Sequence, residues 1–169
     1  MNFITVELAK VHKRESFECS HESLNNYLKL QATKETKRGL AKVYVAGNEL
    51  DEVIGYYTLS SAELPRDSVP DKLLSKLPQS YSGYPAILIG RIAVTKNQVG
   101  KGVGGQLLVD AILRCVLHAE SIGTSAILVD PIDGGAISFY EKFMFKQLPD
   151  SKRMLLKIDH NLKQHFSIE

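Results

Sequence analysis

The chain has only two cysteines and an excess of just two basic over acidic residues, and each scarcity bears on what it can be. Cys19 and Cys115 lie far apart with no Cys-x-x-Cys or Cys/His spacing around them. Neither a structural zinc nor a disulfide framework is therefore expected, and no metal site is assigned. Cys115 falls in an apolar helical stripe and is expected in the core. No run approaches the ~20 apolar residues that span a bilayer, so no membrane partner is expected. The opening Met1-Asn2-Phe3-Ile4-Thr5-Val6-Glu7 has no basic segment followed by an apolar stretch. A secretory signal is thus not expected, and a cytoplasmic location is. What remains is 169 residues, 44% of them hydrophobic. That suits a single globular domain over 1–169 with a polar tail from about 160.

The net charge of +2 is too small to mark a nucleic-acid binder by its total. Its distribution says more. Between 29 and 42 the bases Lys29, Lys34, Lys37, Arg38 and Lys42 stand against one acid, Glu35. A solvated helix surface accounts for such a face, and bases in a last helical turn also complement the carbonyl end of the helix dipole. The five histidines, His12, His21, His118, His160 and His165, are scattered and carry no assigned role.

Hydrophobic periodicity orders the elements. After a short apolar opening, Ser20 is placed to cap a helix whose Leu24, Tyr27, Leu28 and Ala32 share one face, with Gly39 as its stop. Two β-prone runs, 41–46 and 53–60, flank a polar turn and read as an antiparallel hairpin. The proline-punctuated stretch 64–78 reads as a surface insertion holding a turn or two of amphipathic helix at 71–77. Residues 85–94 are apolar on both faces apart from Arg91, as in a central strand covered from both sides. A strong helix carries Leu107, Leu108, Ala111, Ile112, Cys115, Val116 and Ala119 and ends at Gly123. Strand 126–129, helix 136–143 and strand 154–158 complete an α/β fold with a mixed sheet, ordered β-α-β-β-(insertion)-β-α-β-α-β.

The most informative local pattern is Gly100-Lys101-Gly102-Val103-Gly104-Gly105, four glycines in six residues at the head of the strongest helix. Free amides at a helix start face an anion, and missing Cβ atoms let phosphate oxygens reach the main chain. A phosphate-bearing ligand follows. Gly100, Gly102 and Gly105 also fit the GxGxxG dinucleotide pattern, with Asp130 as a ribose-binding acid. Against that, residues 95–99 separate the strand from the first glycine, and the chain after Asp130 is too short for a second nucleotide-binding half. The Walker pattern fails for want of Gly-Lys-Ser/Thr.

Arg91-Ile92-Ala93-Val94, the glycine cluster and Leu107-Leu108 together resemble the acetyl-CoA motif of the GNAT acetyltransferase superfamily, and Phe139-Tyr140-Glu141-Lys142-Phe143-Met144-Phe145 resembles its second motif. A narrower likeness runs through Phe17-Glu18-Cys19, Leu24-Asn25-Asn26-Tyr27-Leu28, Gly55-Tyr56-Tyr57-Thr58-Leu59, Gly90-Arg91-Ile92-Ala93-Val94 and Asp130-Pro131. In that order these fragments resemble the GNAT toxins of bacterial type II toxin–antitoxin modules, which N-acetylate the aminoacyl group of charged tRNA. Three positions depart from the superfamily pattern: Val99 replaces the usual Gln or Arg, Asp133 an Asn, and Met144 the Gly of a Gly-Phe pair.

The resemblance implies acetyl-CoA as cofactor. Ile92, Ala93 and Val94 would pair with its pantetheine arm, and Val99, Gly100, Lys101, Gly102, Val103, Gly104 and Gly105 would cradle its pyrophosphate. Ser138 and Tyr140 would line it from the second motif, with Tyr140 as general acid to the departing thiolate. Lys29, Lys34, Lys37, Arg38 and Lys96 would steer RNA phosphates, with Lys101 beside them; Arg91 is either a phosphate contact or a buried ion-pair member. No carboxylate lies between Arg91 and Gly105. A lysine acceptor, pKa about 10.4, would need such a base, whereas an α-amine near 7.7–8.0 is already substantially neutral. The resemblance further implies a ribbon-helix-helix antitoxin and a homodimer. Acetylation of a small amine or protein N-terminus, and a non-catalytic acetyl-CoA-binding regulator, stay open as alternatives on the sequence alone.

Overall fold

The computed structural model describes residues 4–166. Its elements are β1 (Val6–Glu7), α1 (Glu22–Asn26), a π-helical turn (Tyr27–Gln31), α2 (Ala32–Lys37), β2 (Lys42–Gly47), β3 (Val53–Pro65), β4 (Gly83–Val94), α3 (Val103–Ala119), β5 (Ala126–Val129), α4 (Gly134–Glu141), β6 (Lys146–Gln147), β7 (Met154–Lys157) and α5 (His160–His165). The strands hydrogen-bond in the order β1-β2-β3-β4-β5-β7-β6. This is the expected mixed α/β order with β6 and α5 added. The chain divides into two compact units, Met1–Ser60 with Gly90–Ile112 and Ser61–Ile89 with Leu113–Glu169.

In the first unit, β1 and β2 pair antiparallel, as do β2 and β3, with Val43 opposite Thr58 and Val45 opposite Tyr56. The polar turn closes because Asn48 Oδ1 accepts from the amides of Leu50 and Glu52, a side chain mimicking a backbone turn. Phe17, Tyr27, Leu28, Val43, Val45 and Tyr56 bury together. Asp110, buried on α3, accepts from the Ile4 amide, the Thr5 hydroxyl and the Tyr57 hydroxyl at 2.6–2.7 Å. Such a carboxylate stays inside because its lone pairs are met.

The first helix departs from expectation at its start and middle. Its N-cap is His21, without a side-chain cap bond, because the Ser20 hydroxyl is spent on His21 Nδ1. The run then widens into the π turn before resuming as α2. Its end is as expected. Gly39 sits at φ +70°, Leu40 donates to the Glu35 carbonyl and Gly39 to that of Thr36, the paired bonds of a Schellman close.

In the second unit, β4 and β5 run parallel with Ala86 opposite Ala126 and Ile89 opposite Val129, and β5 and β7 run antiparallel. The stretch 64–78 is not the expected surface excursion. Leu64, Val69 and Leu74 join Tyr84, Leu128 and Leu155 in the core, and Arg66 donates to the carbonyls of Leu77 and Pro78. The anticipated helix at 71–77 is replaced by turns. Nor is the end of the chain only polar: Asp159 caps α5 by accepting from the Leu162 amide, and Leu162 is buried. Helix α4 begins at Gly134 rather than 136 because Asp133 accepts from the Ala136 amide and so fixes an earlier start. Among the described residues no helix is long and apolar enough to cross a membrane.

Candidate active site

The glycine loop belongs to the first unit. Thr95 leaves β4, a 3-10 turn spans Lys96–Gln98, and Gly100 and Gly102 both take φ +80°. An L side chain there would be strained although nothing lies within 4 Å of either Cβ position. Backbone shape, not crowding, therefore requires glycine, and the space in front stays open. The first helical bond of α3 runs from the Gln106 amide to the Gly102 carbonyl, so the amides of Val103, Gly104 and Gly105 precede any intrahelical partner. The first turn carries no acid. Together these features fit a diphosphate: open space, inward amides and the positive end of a 17-residue helix. Val99 is exposed.

The register of β4 with β5 ends at Ile89 and Val129, while β4 itself continues to Val94. Ile92, Ala93 and Val94 thus lie beyond the last β5 pair. Thr95, just after them, donates to the Ile54 carbonyl of β3.

In the second unit Tyr140 is buried on α4 between Phe139 and Phe145, with ring centroids 5.3 and 5.5 Å away. Burial, helped by the Asp130 charge, raises its phenol well above the ordinary value. The group stays protonated near neutral pH and so has a proton to donate. Ser138 is exposed on the same helix. A groove of about 500 Å³ lined by Lys72, Met144, Lys146, Leu155 and Lys157 also lies in this unit and contains none of the residues assigned to the cofactor.

With this geometry in place, the comparisons decide the family. A Mycobacterium tuberculosis protein named tRNA-acetylating toxin is 35% identical over 134 residues, 79% of this chain and 78% of its own. The chain belongs to the tRNA-acetylating toxin family. A Sinorhizobium fredii protein named "Probable toxin TacT" is 29% identical over 156 residues, 87% of this chain and 86% of its own. Among solved structures, AtaT complexed with acetyl-methionyl-tRNAfMet matches with TM-score 0.87 at 20% identity, covering 98% of this chain and 100% of that one. AtaTR bound with AcCoA matches with TM-score 0.83 at 21% identity over 96% and 97%. An AtaT mutant bound to the C-terminus of the antitoxin AtaR matches with TM-score 0.80 at 18% identity over 96% and 97%. These three establish the fold. No family model matches.

The toxin family's fold puts the predicted basic residues in different circumstances. Lys34, Lys37 and Arg38 are exposed and Lys29 is half-buried. Lys42 is paired with Glu7 at 2.5 Å and Lys96 with Glu18 at 2.6 Å, both on the surface. Lys96 therefore meets a phosphate only by leaving Glu18. Arg91 is placed on β4 with its guanidinium 3.6 Å from the Tyr27 ring centroid and 3.7 Å from Glu35 Oε2, and Tyr27 donates to that same oxygen at 2.9 Å. The one acid of the basic run is thus withdrawn into a cluster, and the bases around it are left as the outward charge. Sequence reasoning missed Tyr27 and Glu35 as Arg91's partners; the lone charge in an apolar strand and the lone acid in a basic run were the signals. Both cysteines are buried, and burial pushes the Cys115 thiol up to about 12, so it is inert core. Among the described residues no cluster of His, Cys, Asp or Glu could hold a metal.

Proposed function

We propose that the chain works as one catalytic domain, an acetyl-CoA-dependent N-acetyltransferase toxin that acetylates the α-amino group of aminoacyl-tRNA and blocks translation. The 35% identity to a tRNA-acetylating toxin over 79% of the chain carries this reading. The left-handed Gly100 and Gly102 ahead of a 17-residue helix support its cofactor half. Bound acetyl-CoA supplies the activated acetyl thioester.

The chain's own groups do the rest. The amides of Val103, Gly104 and Gly105 take pyrophosphate oxygens, with Val99, Gly100, Lys101 and Gly102 shaping the cradle. The backbone of Ile92, Ala93 and Val94 pairs with the pantetheine arm, and one of its N–H groups faces the oxyanion. Tyr140 gives its proton to the departing thiolate; burial keeps its phenol in the neutral form that carries that proton. Ser138 lies two residues earlier on the same helix, exposed where Tyr140 is buried. Lys29, Lys34, Lys37, Arg38 and Lys96 contact RNA phosphates, and their number makes binding fall as salt rises. An acceptor that is already partly neutral needs no carboxylate base on 91–105. A cognate antitoxin of ribbon-helix-helix type neutralises the toxin, which acts as a cytoplasmic homodimer.

Cell-free translation with the protein, with and without acetyl-CoA, beside Tyr140→Phe, tests this directly. Translation should stop only with acetyl-CoA and intact Tyr140, and amino acids released from the tRNA should be N-acetylated by mass. Continued translation with unmodified aminoacyl groups would overturn the substrate assignment.

A further inference from the structure

Arg91 is held in an unusual way for a charge in an apolar strand. The guanidinium carbon sits over the Tyr27 ring, 3.6 Å from its centroid. The Tyr56 ring is nearly parallel to that of Tyr27, with centroids 6.2 Å and planes 18° apart. Tyr56 is fixed in turn by its hydroxyl, which donates to the Leu24 carbonyl at 2.8 Å. Both tyrosines are buried, at 0–1% exposure. Glu35 Oε2 lies 3.7 Å from Arg91 Nη1. The Arg91 side chain keeps 33% of its surface in solvent. The Arg91 cation is thus held over one ring of a buried, near-parallel tyrosine pair.

A half-exposed, pre-oriented guanidinium plane suits one class of ligand. Unpaired nucleobases stack on arginine planes as they do on aromatic rings, and Arg91 has already lost its rotamer freedom to Tyr27 and Glu35, so the ordering cost of binding is reduced. A phosphate would instead seek the guanidinium N–H groups, and Glu35 already stands 3.7 Å from Nη1. The anionic backbone attached to a base would meet Lys29, Lys34, Lys37 and Arg38, which lie in the same chain segment as Tyr27 and Glu35.

We infer that the outer face of Arg91 is a stacking platform for an unpaired purine base, resting on the proposed function for its two sources: the terminal base of the tRNA acceptor end and the adenine of acetyl-CoA. Glu35 and Tyr27 are positioning residues that hold the plane. The reading separates from a simple point charge because lysine keeps the charge and loses the plane.

Arg91→Lys is compared with wild type in affinity for acetyl-CoA by calorimetry and for aminoacyl-tRNA by titration at several salt concentrations, with thermal melts alongside. Stacking predicts about 5- to 100-fold weaker binding of whichever ligand supplies the base, with the slope of log Kd against log salt unchanged. Loss confined to tRNA assigns the terminal base, and loss confined to acetyl-CoA assigns the adenine. Unchanged affinity for both overturns the platform. A second readout needs no variant: tRNA carrying 2-aminopurine at its 3′ terminus, and a 2-aminopurine analogue of coenzyme A, are titrated into wild-type protein. Quenching of one of them is expected, and no quenching of either overturns the inference even where Arg91→Lys fails to fold. Wild-type protein that quenches the probe but acetylates no aminoacyl-tRNA would instead sink the proposed function and leave the platform standing.

Discussion

Arg153 grips Asp130 with two parallel hydrogen bonds of 2.7 Å, Nε to Oδ1 and Nη2 to Oδ2. Asp130 closes the C-terminal end of β5 and Arg153 immediately precedes β7, so one bidentate pair ties together the ends of two adjacent antiparallel strands. The fork geometry is the strong form of an ion pair, but the side chains remain 31% and 47% exposed, which screens it. A double-mutant cycle of Arg153→Ala and Asp130→Asn should therefore give a coupling of about 0.5–1 kcal/mol in urea unfolding, shrinking in 1 M salt. Coupling indistinguishable from zero at low salt would mean the pair is ornamental.

The same Asp130 charge helps burial raise the Tyr140 phenol above its ordinary 10.0. A folded state that holds this proton more tightly than the unfolded chain keeps the full benefit below about pH 10 and loses it as pH climbs further. No basic limb from Tyr140 should therefore appear in the kcat profile between pH 6 and 9.5. Tyr140→Phe should lower kcat by about 10²–10⁴-fold, with a melting temperature within a few degrees of wild type because ring packing against Phe139 and Phe145 is kept. An acid-side shift of the profile, with a limb near pH 8, would show that another group supplies the proton.

How much of this was legible depended on whether the cause was local. The spacing of Leu107, Leu108, Ala111, Ile112, Cys115 and Val116 dictates α3, and all six are buried. The glycine cluster is equally plain because its requirement, two left-handed residues before a helix, is written in residue type. Leu64, Val69 and Leu74 were misread because their burial follows no period; prolines and turns bring them to the core one at a time. The π turn leaves no signature in Tyr27-Leu28-Lys29-Leu30-Gln31, and α5 hangs on one buried residue, Leu162. The stack on Arg91 was invisible for another reason: its members come from the first helical run, β3 and β4, and only tertiary pairing brings them together.

Gly100 and Gly102 differ from Gly123 in a way that can be measured. None has a neighbour within 4 Å of its Cβ position, but only the first two have positive φ. Gly100→Ala and Gly102→Ala should each cost about 1–2 kcal/mol of strain and weaken acetyl-CoA at least tenfold, because the new methyl projects into the open space of the cradle. Gly123→Ala should be neutral or stabilise by about 0.4–1 kcal/mol through the unfolded chain. Urea midpoints and calorimetric affinities for the three variants check this; equal behaviour at all three positions would remove the backbone-shape argument for the loop.

Met144 occupies the position where the superfamily pattern has glycine, and it adopts φ +67°. A long L side chain in that region is strained by roughly 1–2 kcal/mol, and Met144 repays little of it, since it is 60% exposed. The turn is nevertheless well tied: the Met144 amide donates to the Glu141 carbonyl and the Phe145 amide to that of Tyr140, which places Phe145 against the Tyr140 ring. The positive φ is thus imposed by the need to bring Phe145 back under α4. Met144→Gly relieves the strain, and the larger backbone freedom glycine has when unfolded offsets part of the gain. The net expectation is a stabilisation of about 0.5–1 kcal/mol, read as a higher urea midpoint with unchanged slope, and an unaltered kcat because Tyr140 keeps its packing. A destabilised Met144→Gly variant would show that the methionine side chain holds this turn by contacts worth more than the backbone strain.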